Sequence, residues 1–95
     1  MGAIPLVVRV LRKTRTQSIV DVFQVVAGAR MDITDDVLEM GRWKRSRKGD
    51  GIVVWDHEVE SFAGSLAFML YGGRSPFDHR SAEAMFPCTI ETKEG

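Results

Sequence analysis

The first hydrophobic run, "IPLVVRVLR" from Ile4 to Arg12, is apolar on both faces of an extended chain, with only Arg9 interrupting. Its β-branched content predicts a strand, and apolar residues on both faces predict a central one. "KTRTQ" then links to "SIVDVFQVVAGAR", where two periods compete. Polar residues recur every three positions at Ser18, Asp21 and Gln24. Ile19, Val22, Phe23 and Val26 then share one helical face. Ser18 with Asp21 resembles a capping box. Five β-branched residues in the eight from Ile19 to Val26 argue for a strand instead. The linker "RKTRTQ" has none of the residues that make a tight hairpin turn, which favours a helix over Ser18–Val26.

Further along, Thr34 is placed to cap a helix or sit in a loop before Val37, Leu38 and Met40. "MGRWKRSRKGDGIVVWDHE" predicts two strands around a Lys48-Gly49-Asp50-Gly51 turn, whose glycines supply positive φ. "DHEVESFAGSLAFMLYGG" carries the clearest helical stripe, with Val59, Phe62, Ala63, Leu66, Met69 and Leu70 at spacings of three and four. Asp56 is placed to cap it, and Gly72-Gly73 to end it. The loop "RSPFDHR", a short helical piece from Ser81 and a last strand, "CTIET", complete the pattern.

The resulting order is β-α-β-β-α-β, the ferredoxin-like pattern: an α+β fold with an antiparallel sheet and two helices on one face. If Ser18–Val26 is a strand, the alternative is a five-stranded antiparallel sheet with one main helix. Residues 1–95 make one small domain, too short for two cores. The 44% hydrophobic and 27% charged composition is that of a globular chain. No apolar run approaches the roughly 20 residues needed to span a bilayer. The start has no cationic region ahead of its apolar stretch, so no signal peptide is expected. The single cysteine, Cys88, has no partner for an internal disulfide and fits a reducing, cytoplasmic or otherwise intracellular setting.

The formal net charge is zero, but its distribution is uneven. Residues 1–48 hold ten Lys and Arg against five Asp and Glu, while residues 49–95 hold three against eight. The basic half ends in "RWKRSRK", with five cations in seven positions: Arg42, Lys44, Arg45, Arg47 and Lys48. Strand alternation puts Arg42, Lys44, Ser46 and Lys48 on one side, and Trp43, Arg45 and Arg47 on the other, with Trp43 against the helices. A cationic ribbon suits phosphate, since each neutralised phosphate releases a counterion. The competing explanation is a solvated hairpin whose charges protect an edge strand. Base-specific reading by the sheet is not expected, because the third strand has Trp55 as its one aromatic and the first strand has none.

Other chemistry is less well supported. Asp56-His57-Glu58 and Asp78-His79 lack the spacing that puts two metal ligands on one helical face, so no metal or other cofactor is expected. Cys88 has no histidine in its strand to act as a base, so a structural thiol is expected. Pro76, Asp78, Glu91 and Lys93 loosely resemble the P-D…E-x-K signature of metal-dependent nucleases, although Phe77 separates Pro76 from Asp78. The stretch from Val37 to Leu70 is similar to the hairpin and helix of kinase-associated regulatory domains, a resemblance that implies acidic phospholipids or a kinase as partner.

The sequence therefore predicts a non-catalytic domain whose basic hairpin contacts an anionic polymer or membrane surface: a nucleic-acid backbone or acidic phospholipid head groups. A protein-interaction or regulatory module, dimeric through its sheet edges, is the alternative. A metal-dependent nuclease is a minor one.

Overall fold

In the computed structural model, which describes residues 5–72 and 88–93, the first apolar run forms the expected strand, Leu6–Lys13 (β1). The segment after it is not a helix. Gln17–Val26 is a second strand (β2), antiparallel to β1 from Leu6 opposite Gln24 to Lys13 opposite Ser18. Apolar residues lie on both faces of this strand, which hides the two-residue alternation, and chance spacing of Ser18, Asp21 and Gln24 imitates a helix. The linker closes without a turn glycine because Thr14 replaces one. Its N–H donates to the Gln17 carbonyl at 2.8 Å, and its hydroxyl accepts the Gln17 N–H at 3.1 Å. This is a side-chain-closed turn.

The chain continues through Ala29–Asp32 (β3), Thr34–Glu39 (α1), Lys44–Arg45 (β4) and Ile52–Trp55 (β5). A 3-10 turn over Asp56–Glu58 leads into Val59–Ala67 (α2), then a wider π-type turn over Phe68–Gly72, and Cys88–Thr92 (β6). The expected helical piece from Ser81 and the ending at Gly73 lie outside the described residues. The sheet has six strands, ordered β4-β5-β2-β1-β6 with β3 also on β2. β6 runs parallel to β1, Leu6 opposite Cys88. The fold is therefore a small α+β fold with a mixed sheet and two helices. Its element order differs from the ferredoxin-like one, because three strands precede the first helix. The alternative sheet with one main helix is nearer, but it lacks a strand and the parallel pairing.

One edge of β2 is shared between two partners. Its first half, Gln17–Val20, pairs β5, and its second half, Phe23–Val26, pairs β3. Between them Val22 has no strand opposite, and the start of α1 fills the gap. The Thr34 hydroxyl accepts the Val22 N–H at 3.0 Å, and the Ile33 N–H donates to the Val22 carbonyl at 2.9 Å. Thr34 is thus buried as a substitute strand partner, rather than acting as the helix cap; Ile33 occupies the capping position. Thr34→Val keeps the volume but leaves the Val22 N–H buried and unpaired. It should cost about 1–3 kcal/mol in urea titration, whereas Thr34→Ser should recover most of that loss. A Val variant as stable as the parent would exclude this role.

The core forms where one sheet face meets the helices. Leu6, Val8, Val10, Val20, Val22, Ile52 and Val54 cluster with Val37 of α1 and with Val59, Phe62, Ala63, Leu66 and Ala67 of α2. The stripe expected of α2 is the one buried, with Met69 and Leu70 half-buried beyond its end. Asp56 does not cap α2. Its carboxylate accepts the buried Ser18 hydroxyl at 2.8 Å and lies 3.5 Å from the Lys13 ammonium, tying the entry of α2 to the β1–β2 hairpin. Both contacts hold the Asp56 carboxyl below the usual carboxylate range, the Ser18 hydrogen bond foremost.

The opposite face carries charge laid over apolar residues. Phe23 is buried beneath two guanidinium groups, Arg9 at 4.8 Å and Arg30 at 5.8 Å from its ring centre. Arg30 makes a two-point contact to Glu91 at 2.6 and 2.9 Å, and Arg9 lies 3.4 Å from Asp21. Long cationic stems shield the ring from water while their heads remain paired.

Candidate anion-binding groove

The basic run is a hairpin, as expected, but a short one. β4 pairs β5 only at Lys44 opposite Val53 and Arg45 opposite Ile52. At one end, the Ser46 N–H bonds the Gly51 carbonyl and the Gly49 N–H bonds the Ser46 carbonyl, both at 3.0 Å, so strand alternation stops at Arg45. Gly49 and Gly51 both have positive φ, and a Cβ on Gly51 would sit 2.7 Å from the Val20 carbonyl oxygen. No other residue fits Gly51 without moving the backbone of β2. At the other end, Trp43 leaves the sheet and meets Phe62 of α2 edge to face, with ring centres 5.0 Å apart.

That departure leaves β5 uncovered beyond Val53. A groove of about 810 Å³ lies there, running round the sheet edge from the β1–β2 hairpin to α2. Arg12, Arg42, Lys44, Arg45 and Arg47 line it, with Glu58 the one acid among its walls. Trp43 and Trp55 also line it, and Trp55 is half-exposed.

The five cations expected to bind an anion divide into two groups. Arg45 is engaged within the molecule: its guanidinium donates to the Asp35 carboxylate of α1 and to the Gly49 carbonyl, clamping the loop onto α1. Arg42, Lys44, Arg47 and Lys48 are exposed, and none has a carboxylate partner among the described residues. Arg42 rests near the Met69 sulfur at 3.8 Å and over the Trp43 ring at 6.0 Å. Lys44 shares the face of Val53, away from the core, and Lys48 projects from the loop tip outside the groove lining.

Sequence reasoning missed Arg12 and Asp50. Arg12 reaches the groove because a bulge after Val10 turns it onto the uncovered face, opposite Ile19. Its guanidinium grips Asp50 at 3.1 and 3.3 Å, and the Ser46 hydroxyl donates to the same carboxylate. Arg12 and then Ser46 hold the Asp50 carboxyl far below the usual carboxylate range, so it remains an anion and fixes the loop. The uneven charge along the chain is largely cancelled by folding. Arg12–Asp50, Lys13–Asp56 and Arg30–Glu91 each join the basic half to the acidic half. What remains is a local patch, not a basic face.

The residues of the other candidate sites are dispersed. His57 is exposed beside Glu58, and Asp56 is committed to Ser18 and Lys13. Glu91, the central acid of the nuclease-like signature, is bound by Arg30, which lowers its pKa; Asp78 and His79 lie outside the described residues. No cluster of three potential metal ligands occurs among the described residues. Cys88 packs against the core, and burial pushes its thiol pKa up, away from the nucleophilic thiolate. No described helix is long and apolar enough to cross a membrane. Comparisons with protein-family models, curated proteins and solved structures find no match to this chain.

Proposed function

We propose that the protein is a non-catalytic binding domain that holds a phosphate-bearing polyanion, either a nucleic-acid backbone or acidic phospholipid head groups, at the β4–β5 edge. The observation that carries this is the groove itself, whose cations outnumber its acids and include Arg42, Lys44 and Arg47 without a carboxylate of their own. Cations held for stability are normally answered by nearby acids, as Arg12 and Arg45 are here. Unanswered cations grouped around one concavity favour an external anion. The lone, core-packed thiol of Cys88 fits a reducing, intracellular setting.

Salt titration tests this. Binding to a duplex, to a single-stranded oligonucleotide and to vesicles containing an acidic phospholipid is measured between about 50 and 200 mM salt. At least one probe should bind, with log K falling linearly in log salt at about 0.9 per duplex phosphate or 0.7 per single-strand phosphate contacted. Binding that ignores salt would favour an apolar protein interface instead. Failure of all three probes at low salt would remove the proposal.

A further inference from the structure

Trp55 is the feature that the cationic groove alone does not explain. It ends β5 on the face away from the core, opposite Gln17, and half of its surface is exposed. Isolated exposed apolar residues are ordinary and need no account. Among the described residues Val26, Met31 and Ile90 are also large and exposed, yet none of them lines the groove. Trp55 does, together with Arg12, Lys44 and Arg47. Trp43 faces the same space, but its ring is held edge-on by Phe62, so Trp55 is the freer aromatic surface.

We propose that the partner of this groove is single-stranded nucleic acid, with a base stacked on Trp55 and the adjoining phosphates on Arg42, Lys44 and Arg47. This rests on the anion-binding reading above and narrows it. Sequence-tolerant single-strand binding combines a cationic track for the backbone with aromatic faces for the bases. A duplex buries its base faces in its own stack and leaves Trp55 idle. A lipid head group offers phosphate but no aromatic surface. A groove of about 810 Å³ is the size of a small-ligand cleft, suited to a short length of strand. With one exposed platform and no array of polar side chains committed to base edges, tolerance of sequence is expected.

The test uses the whole chain with a single-stranded oligothymidylate, a matched duplex and acidic phospholipid vesicles. The chain has two tryptophans, so Trp43→Phe leaves Trp55 as the only indole emitter. Oligothymidylate should quench that emission and should bind more tightly than the duplex. Trp55→Leu should weaken oligothymidylate binding roughly 5- to 150-fold, the range for losing one stacked base, while Trp55→Phe should recover much of it. Neither change should alter the salt slope, because no phosphate contact is removed. If all polyanions bind equally and Trp55→Leu leaves affinity and emission unchanged, stacking is overturned while the anion-binding reading stands. Binding to vesicles but not to oligonucleotides also overturns it. Absence of any salt-dependent binding overturns both.

Discussion

Leu66→Ala is expected to destabilise the protein by about 2–5 kcal/mol, the range for emptying a fully buried leucine site. Leu66 is 0% exposed and sits in the middle of the α2 stripe, in one cluster with Val8, Val20, Val22 and Ile52. Deleting its isobutyl group removes favourable transfer energy and leaves a cavity that the sheet backbone cannot collapse to fill. A domain of this size has only about 5–15 kcal/mol in hand, so the loss is a large share of the total. Urea titration at constant m-value is the measurement. A change below about 0.5 kcal/mol would mean that α2 presents a different face to the sheet.

Replacing Lys44, Arg47 and Lys48 together by Ser is expected to act in the opposite way. All three are exposed and none is engaged by a carboxylate among the described residues. Stability should therefore stay within roughly 0.5 kcal/mol per surface change. Binding should fall sharply: three lost phosphate contacts are worth on the order of 10²- to 10³-fold near 50 mM salt, through counterion release alone. The salt slope should flatten by about 0.7–0.9 for each contact. Arg12 and Arg45 are left in place because they anchor the loop through Asp50 and Asp35, and changing them would confuse a binding effect with a structural one. An unchanged affinity and slope would reduce "KRSRK" to a solvated tip. The contact surface would then have to be sought among the acidic residues of the second half.

Much of the fold was legible where a local pattern had one physical meaning. β1 could be read because nine residues were apolar on both faces, and α2 because its apolar residues kept helical spacing. The loop of the basic hairpin could be read because Gly49 and Gly51 meet a demand for positive φ that few other residues satisfy. β2 could not, because the apolar residues facing away from the core are sheltered by Arg9 and Arg30, and nothing local announces that shelter. Likewise Thr14 closes a turn and Thr34 completes a strand edge, roles in which a hydroxyl replaces backbone and which leave no pattern in the sequence.

The candidate site divides along the same line. The amino-acid sequence by itself determined that a cluster of cations would be carried by a hairpin beside Trp43, because charge and turn chemistry are properties of neighbouring residues. Tertiary structure decided which of those cations are available. Asp35 comes from α1 to engage Arg45, and Asp50 is engaged by Arg12 from a strand 38 residues away. Tertiary structure also decided that the patch is a groove: Trp43 prefers Phe62 of α2 to a place in the sheet, and its departure ends β4 after two residues. Pairing between charges and packing between rings depend on which segments meet in space. Those meetings are set by the burial of the whole core, which no stretch of this chain encodes alone.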